Sequence, residues 1–215
     1  MKYGRTYHFP FSPGASNDDK IQKDWEDILN YEIVMTEKLD GENTCLKSSG
    51  IYARSHSAPT TNPWARNMMQ IWHETKDLLG DLEIFGENLY GIHSIEYSDL
   101  KDYFYVFAIR DQDKWLSWDE VKFYAETLGL PTVPAIKRGI FSKKILLEEI
   151  NDQMKQGSLL GGECEGFVFR ATDSFSLNQF SKKVLKYVRK NHVKTDEHWT
   201  KNWRRAKLYY EYTNQ

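Results

Sequence analysis

The chain has 215 residues, 40% hydrophobic and 14% aromatic, which suffices for one large domain with a sizeable core. Its formal net charge of -2 excludes a uniformly basic nucleic-acid binder, so a polyanion would have to be held by a local patch. No stretch reaches the about 18 apolar residues of a membrane span, and Met1 to Pro10 lacks a signal-peptide core. Two cysteines, Cys45 and Cys164, cannot build a disulfide framework or a four-cysteine zinc site, and a cytoplasmic protein with reduced thiols is the expectation.

Residues 5–20, rich in Pro, Ser, Gly and Asp, read as an ordered loop. Residues 31–38 form a strand, with β-propensity from Ile33 and Val34. Strands at 44–48 and 51–55 flank Ser49-Gly50, a hairpin signal. Asn62-Pro63 starts a helix on which Trp64, Met68, Ile71, Trp72 and Leu79 recur at helical spacing until Gly80. Residues 82–90 and 103–109 are strands, and the second is apolar on both parities, as in the middle of a covered sheet. Ser117 with Glu120 makes a capping box, and Gly129 closes that helix ahead of Pro131. A helix over 142–156, strands at 166–170 and 184–188, and a helix over 195–212 complete the chain. Hairpins interspersed with helices argue for an α+β domain of mainly antiparallel sheets.

Lys38-Leu39-Asp40-Gly41 at a strand end reads by itself as a turn. Downstream, Arg54 sits on the next hairpin and Glu87 ends the apolar run Ile84-Phe85-Gly86. Phe107 lies in Tyr-Val-Phe-Ala-Ile, Glu165 opens Gly166-Phe167-Val168-Phe169, and Lys186 is enclosed by Leu185 and Tyr187. Carboxylates and lysines inside apolar strands are costly without partners, which points to function rather than packing. Phe107 fits plain core as well as it fits a base-stacking ring. Arg54 fits a solvated hairpin charge, and Lys186 fits a side chain that snorkels to water.

This ordered set resembles the nucleotidyltransferase motifs of the covalent ligases and mRNA capping enzymes, most of all the nick-sealing ATP-dependent RNA ligases, from about Glu37 to Arg189. The opening Arg5-Thr6, His8, Pro10 and Ser12-Pro13-Gly14 and the late 191–199 stretch are similar to a small bacterial and viral group of them. The resemblance implies an ATP-grasp-like nucleotidyltransferase domain over 1–194 without a complete OB-fold, and a basic, aromatic helical tail over 195–215. It implies that Lys38 attacks the α-phosphate of ATP to form lysyl-AMP. The AMP would then pass to an RNA 5′-phosphate, and a 3′-hydroxyl would displace it. A lysine with a pKa of about 10.4 must first be pushed towards the amine by burial, a nearby cation or a metal.

By the same resemblance, Lys186 is the catalytic cation that offsets charge on the α-phosphate. Glu87 and Glu165 hold the ribose and the divalent metal, Mg²⁺ or Mn²⁺, with phosphate oxygens completing its shell. Phe107 stacks on adenine, Arg54 grips phosphate, Asn43 handles the nucleotide and the ends, and Glu37 helps place the base. Two positions depart from the pattern. Ala108 stands where relatives carry an acid after the aromatic. Val188 stands where many carry a second lysine, so Arg189 is the candidate for the triphosphate.

Lys182, Lys183, Lys186, Arg189, Lys190, His192 and Lys194 make a basic run. The tail adds Trp199, Lys201, Trp203, Arg204, Arg205, Lys207, Tyr209 and Tyr210. Cations mixed with aromatics suit RNA, although a docked amphipathic helix is the expectation for the tryptophans. A protein partner, or the N-terminal loop, is expected to replace a missing second domain. The rival readings are a DNA ligase, a GTP-dependent capping-type enzyme, and an inactive nucleic-acid-binding relative. Cys45 and Cys164, beside the first and fourth motifs, are open to proximity and oxidation, with packing the plainer role.

Overall fold

A computed structural model describes residues 2–54, 57–190 and 202–213. Strands β1 (Tyr7–His8), β2 (Glu32–Lys38), β3 (Glu42–Lys47) and β4 (Gly50–Ala53) precede helix α1 (Arg66–Leu79). Then come β5 (Leu82–Asn88), β6 (Phe104–Asp111), β7 (Lys114–Trp115), α2 (Trp118–Thr127), β8 (Ala135–Ile140) and α3 (Lys143–Gln156). Strands β9 (Gly166–Ala171) and β10 (Phe175–Ser176), the short α4 (Phe180–Lys183), β11 (Val184–Val188) and α5 (Tyr209–Thr213) close the order.

The strands form two sheets, ordered β1-β11-β9-β2-β8 and β10-β7-β6-β5-β3-β4. Every strand pair is antiparallel except β1 with β11. The domain is therefore the expected α+β assembly of mainly antiparallel sheets. Side-chain alternation then decides which face of β2 meets which core. Ile33 and Met35 are fully buried with Phe167, Phe169 and the α3 residues Leu146 and Ile150. Val34 takes the other parity and joins the core of Leu46, Ile84 and Val106. Each such side chain contributes roughly 1.5–3 kcal/mol on burial, so a register slip of one residue would lose several at once. A third cluster of Cys45, Phe85, Trp115, Phe175, Phe180 and Val184 joins residues of both sheets.

The Ser117–Glu120 capping box is present at the start of α2, and Ser142 caps α3. Asn62 differs from expectation. Its side chain caps nothing; its Nδ2 instead donates to Glu42 Oε1 at 3.3 Å, and a 3₁₀ turn over Pro63–Ala65 leads into α1. Four strands escaped the sequence pattern: β1, within the N-terminal loop, the two-residue β7 and β10, and β8, an edge strand with little burial.

The tail also differs. Residues 202–208 form no helix, with Arg205 bridged to Gly91 and Ala206 N donating to Tyr90 O, and of the described tail only Tyr209–Thr213 is helical. Backbone pairing with residues 90–92 and 100 satisfies the amides that a helix would have used internally. The rest of the expected tail helix, with His192, Lys194, Trp199, Lys201 and the 191–199 stretch, lies outside the described residues, as does Ser55. No helix among the described residues is long and apolar enough to cross a membrane.

Candidate functional site

Lys38 is the last residue of β2, where the chain leaves one sheet for the other. Asp40 and Gly41 make that crossing. The Asp40 amide donates to Tyr97 Oη at 2.8 Å, and its Oδ2 accepts from the Ser94 and Ile95 amides at 2.7 and 2.8 Å. Gly41 passes so close to β5 that a Cβ would lie 2.6 Å from Asn88 O. Its amide donates to Glu87 Oε1 at 3.1 Å. Two of the four residues in Lys-x-Asp-Gly are thus explained by the turn, and Lys38 is left for chemistry.

The crossing opens a cavity of about 660 Å³. Glu37, Lys38, Asn43, Arg54, Glu87, Phe107 and Lys186 line it, from β2, β3, the end of β4, β5, β6 and β11. Seven expected residues separated by up to 149 positions therefore line one cavity. Glu165, just before β9, reaches the same place through Lys38: its Oε2 lies 2.6 Å from Lys38 Nζ. Glu165 is 5% exposed.

Arg189 is not brought into the cavity. Its guanidinium pairs with Glu163, and its amide donates to Glu165 O at 3.0 Å. It lies one residue past the end of β11, beyond the strand that carries Lys186 into the cavity. The carboxylate of Glu37 accepts from Leu159 N at 2.9 Å, on the opposite parity from Lys38. The basic run is not one face either. Lys183 is buried over the Tyr31 ring, Lys186 faces Asp19 at 3.8 Å, and Arg189 holds Glu163.

Electrostatics divides the site. Burial alone would push the Lys38 ammonium down, but Glu165, then Glu87 and Asp40, outweigh it and hold its pKa above the ordinary lysine value. Burial pushes the Glu87 carboxyl up to about 8, against the pull of Lys38 and with the repulsion of Glu165. Burial and then the Lys38 charge hold Lys186 below its ordinary value. Lys38 is thus an ion-paired ammonium, not the free amine that nucleophilic attack needs.

Asn43 Oδ1 is buried without a hydrogen-bond partner among the described residues. Phe107 is partly buried and meets Tyr3 edge-on, with ring centroids 5.0 Å apart. Sequence reasoning missed several lining residues: Asp19, Glu42, His93, Trp118 and Arg170. Arg170 carried a legible signal, since it ends the apolar run that Glu165 opens. It is 5% exposed, donates to Phe107 O and Leu116 O, and burial lowers its pKa to about 10.

No group of three or more His, Cys, Asp or Glu poised to hold a metal occurs among the described residues. Glu87 and Glu165 offer two carboxylates close enough to repel one another. That donor set fits Mg²⁺ or Mn²⁺ arriving with phosphate oxygens and waters, not an all-protein cage. The cysteines fall in separate core clusters, and burial pushes both thiols up to about 12. Packing is their role here.

A family model described as RNA ligase matches residues 31–188. Among solved structures, the fold is similar to a Naegleria gruberi RNA ligase mutant with AMP and Mn. That match has a TM-score of 0.56 and 20% identity, and covers 88% of this chain and 56% of that one. An archaeal ATP-dependent RNA ligase matches with a TM-score of 0.58 and 16% identity, over 87% and 48%. An Aquifex aeolicus protein assigned as an ATP-dependent DNA ligase matches with a TM-score of 0.58 and 18% identity, over 87% and 50%. The chain spans about half the length of these solved structures. No curated protein sequence matches it significantly.

Proposed function

The chain belongs to the RNA ligase family, and from that premise we propose that it joins RNA 5′-phosphate and 3′-hydroxyl ends with ATP through an AMP carried on Lys38. The observation that carries the reading is the pairing of Lys38 Nζ with Glu165 at 2.6 Å on the wall of a cavity also lined by Glu87 and Lys186.

In this reading the α-phosphate of ATP enters beside Lys38. The Nζ lone pair forms the P–N bond as the bond to the pyrophosphate oxygen breaks, and the amine proton leaves. The RNA 5′-phosphate oxygen then attacks the same phosphorus and releases Lys38. Finally the 3′-hydroxyl attacks the 5′-phosphate and AMP departs with the electron pair. Lys186 supplies a fixed positive charge near the phosphate, where it counts for more than in water. Arg54 offers a guanidinium fork for phosphate oxygens, Phe107 a ring face for adenine, and Asn43 an unspent acceptor. Glu87 and Glu165 would hold the divalent ion. Bound there, it would supply the positive charge that relieves their hold on the Lys38 proton. Arg204, 70% exposed and 3.6 Å from the Glu96 carboxylate, is a candidate for RNA contact. Arg205 is engaged by Glu211 and Tyr103 Oη.

The test is a sealing assay on labelled strands with a 5′-phosphate and a 3′-hydroxyl, run as single-stranded, splinted and loop-broken RNA and as nicked DNA. ATP, GTP and NAD serve in turn as donor. Sealed RNA with ATP alone is the expected result. Sealing of DNA in preference to RNA, or use of GTP, moves the chain to the neighbouring ligase or capping chemistries. No product from any strand refutes the reading.

A further inference from the structure

The N-terminal segment is built onto the strand that carries Lys186. Strand β1 runs parallel to β11, with His8 opposite Lys186, and Phe9 N donates to Lys186 O at 3.0 Å. Gly14 N donates to Val188 O at 2.9 Å, so close that a Cβ on Gly14 would lie 2.4 Å from Arg189 O. Ser12 Oγ accepts from Val188 N at 2.9 Å and lies 2.9 Å from His8 Nδ1.

The segment then returns. His8 N donates to Lys20 O at 2.7 Å and Gln22 N donates to His8 O at 2.9 Å, which fixes Asp19 beside the cavity it lines. The two oxygens of Asp19 have different partners. Its Oδ2 accepts from Ser16 N at 3.0 Å and Ser16 Oγ at 2.8 Å. Its Oδ1 lies 3.4 Å from His8 Nε2 and 3.8 Å from Lys186 Nζ.

Resting on the ligase reading, we propose that Asp19 is a positioning residue: its Oδ1 holds the Lys186 ammonium in place and so leaves Glu165 to Lys38. The charges felt by Lys186 include Asp19 from the N-terminal segment, 3.8 Å away, and Lys38 from β2, Glu165 before β9 and Arg54 after β4. Lys38 and Arg54 repel it, so the two carboxylates compete for it. Glu165 is already spent on Lys38. Without Asp19 the Lys186 ammonium is drawn to Glu165, the pairing around Lys38 is disturbed, and the cation leaves the position where it faces the α-phosphate. The N-terminal segment is then a working part of the nucleotide site, acting through Lys186.

The test is single-turnover adenylation of Lys38 by ATP and Mg²⁺ in the wild type, Asp19→Asn, Asp19→Glu, Lys186→Gln and the double variant Asp19→Asn/Lys186→Gln. Asp19→Asn is expected to lower the rate at saturating ATP about tenfold, as a misplaced charge does, with half-saturating ATP unchanged. Asp19→Glu should recover most of the rate. The double variant should be no slower than Lys186→Gln, because both changes remove one interaction. Asp19→Ser, which can still accept from Ser16, carries the same expectations if Asp19→Asn melts below the assay temperature.

Three results would each overturn the proposal: a wild-type rate in Asp19→Asn, a Glu variant as slow as the Asn one, or a double variant slowed by the full extra factor. A wild type that takes no AMP defeats the ligase reading itself. A wild type that does, with Asp19→Asn at the same rate, defeats only this inference.

Discussion

Glu87 is a carboxyl whose burial costs stability, and replacing it by Gln should reveal how much. Its carboxyl rises from 4.5 to about 8 because burial penalises the charged form more than Lys38 rewards it. The folded state therefore binds a proton there that the unfolded state has lost, between the two values. Stability is intact below about pH 4.5, falls as pH rises through that window, and levels off above about 8. At about 1.4 kcal/mol per unit the ceiling is about 5 kcal/mol. Water reaches the side chain from the open cavity, so about 2 kcal/mol is the expected share. Gln keeps an oxygen to accept from Gly41 N but never ionises. At about 2–4 °C per kcal/mol for a chain of this size, Glu87→Gln should melt about 4–8 °C above the wild type at pH 9. The two should melt nearly together at pH 5. Thermal melts in chelator-containing buffer across pH 5–9 measure the difference. A gap that stays constant with pH, or a variant less stable at pH 9, would refute the assignment.

Other expectations concern the same site. Glu165→Gln removes the largest charge holding the Lys38 proton, so Lys38 should react faster than in the wild type with an amine-acylating reagent at the same pH. Equal labelling by peptide mapping would count against the ion pair. Gly166→Ala places a Cβ 2.0 Å from Tyr187 O, so β9 and β11 must part; the cost is expected to be about 3 kcal/mol by denaturant unfolding. An unchanged midpoint would mean that the close approach is absent. Both cysteines are buried with thiols pushed up to about 12, so peroxide treatment should leave lysyl-AMP formation unaltered. Loss of adenylation traced to either thiol would contradict this.

The sequence was most legible where charge sits inside apolar strands. Glu87, Glu165 and Lys186 stood out because such residues need a partner, and all three belong to the Lys38 surroundings. Arg170 obeyed the same rule and could have been found by it. Arg189 was expected at the triphosphate as the cation next to the position where relatives carry a second lysine, yet it lies past the end of β11 and pairs with Glu163. Strand β8 was hidden because an exposed edge shows no alternation, as in Ala135 to Ile140 with Lys137, Arg138 and Gly139. The tail was misread for a different reason. Its helical propensity is local, whereas pairing of Arg205 with Gly91 and the packing of Trp203 near Trp64 and Tyr90 are tertiary. Asp19 and His93 gave no signal because loop residues acquire a role only from the strands they are folded against.

The most direct test of the account is the mass of the purified protein after incubation with ATP and Mg²⁺, followed by mapping of the modified peptide. A gain of one AMP on the peptide containing Lys38, absent in Lys38→Ala, is the predicted result. An unmodified protein, or an adduct that survives Lys38→Ala, would contradict it.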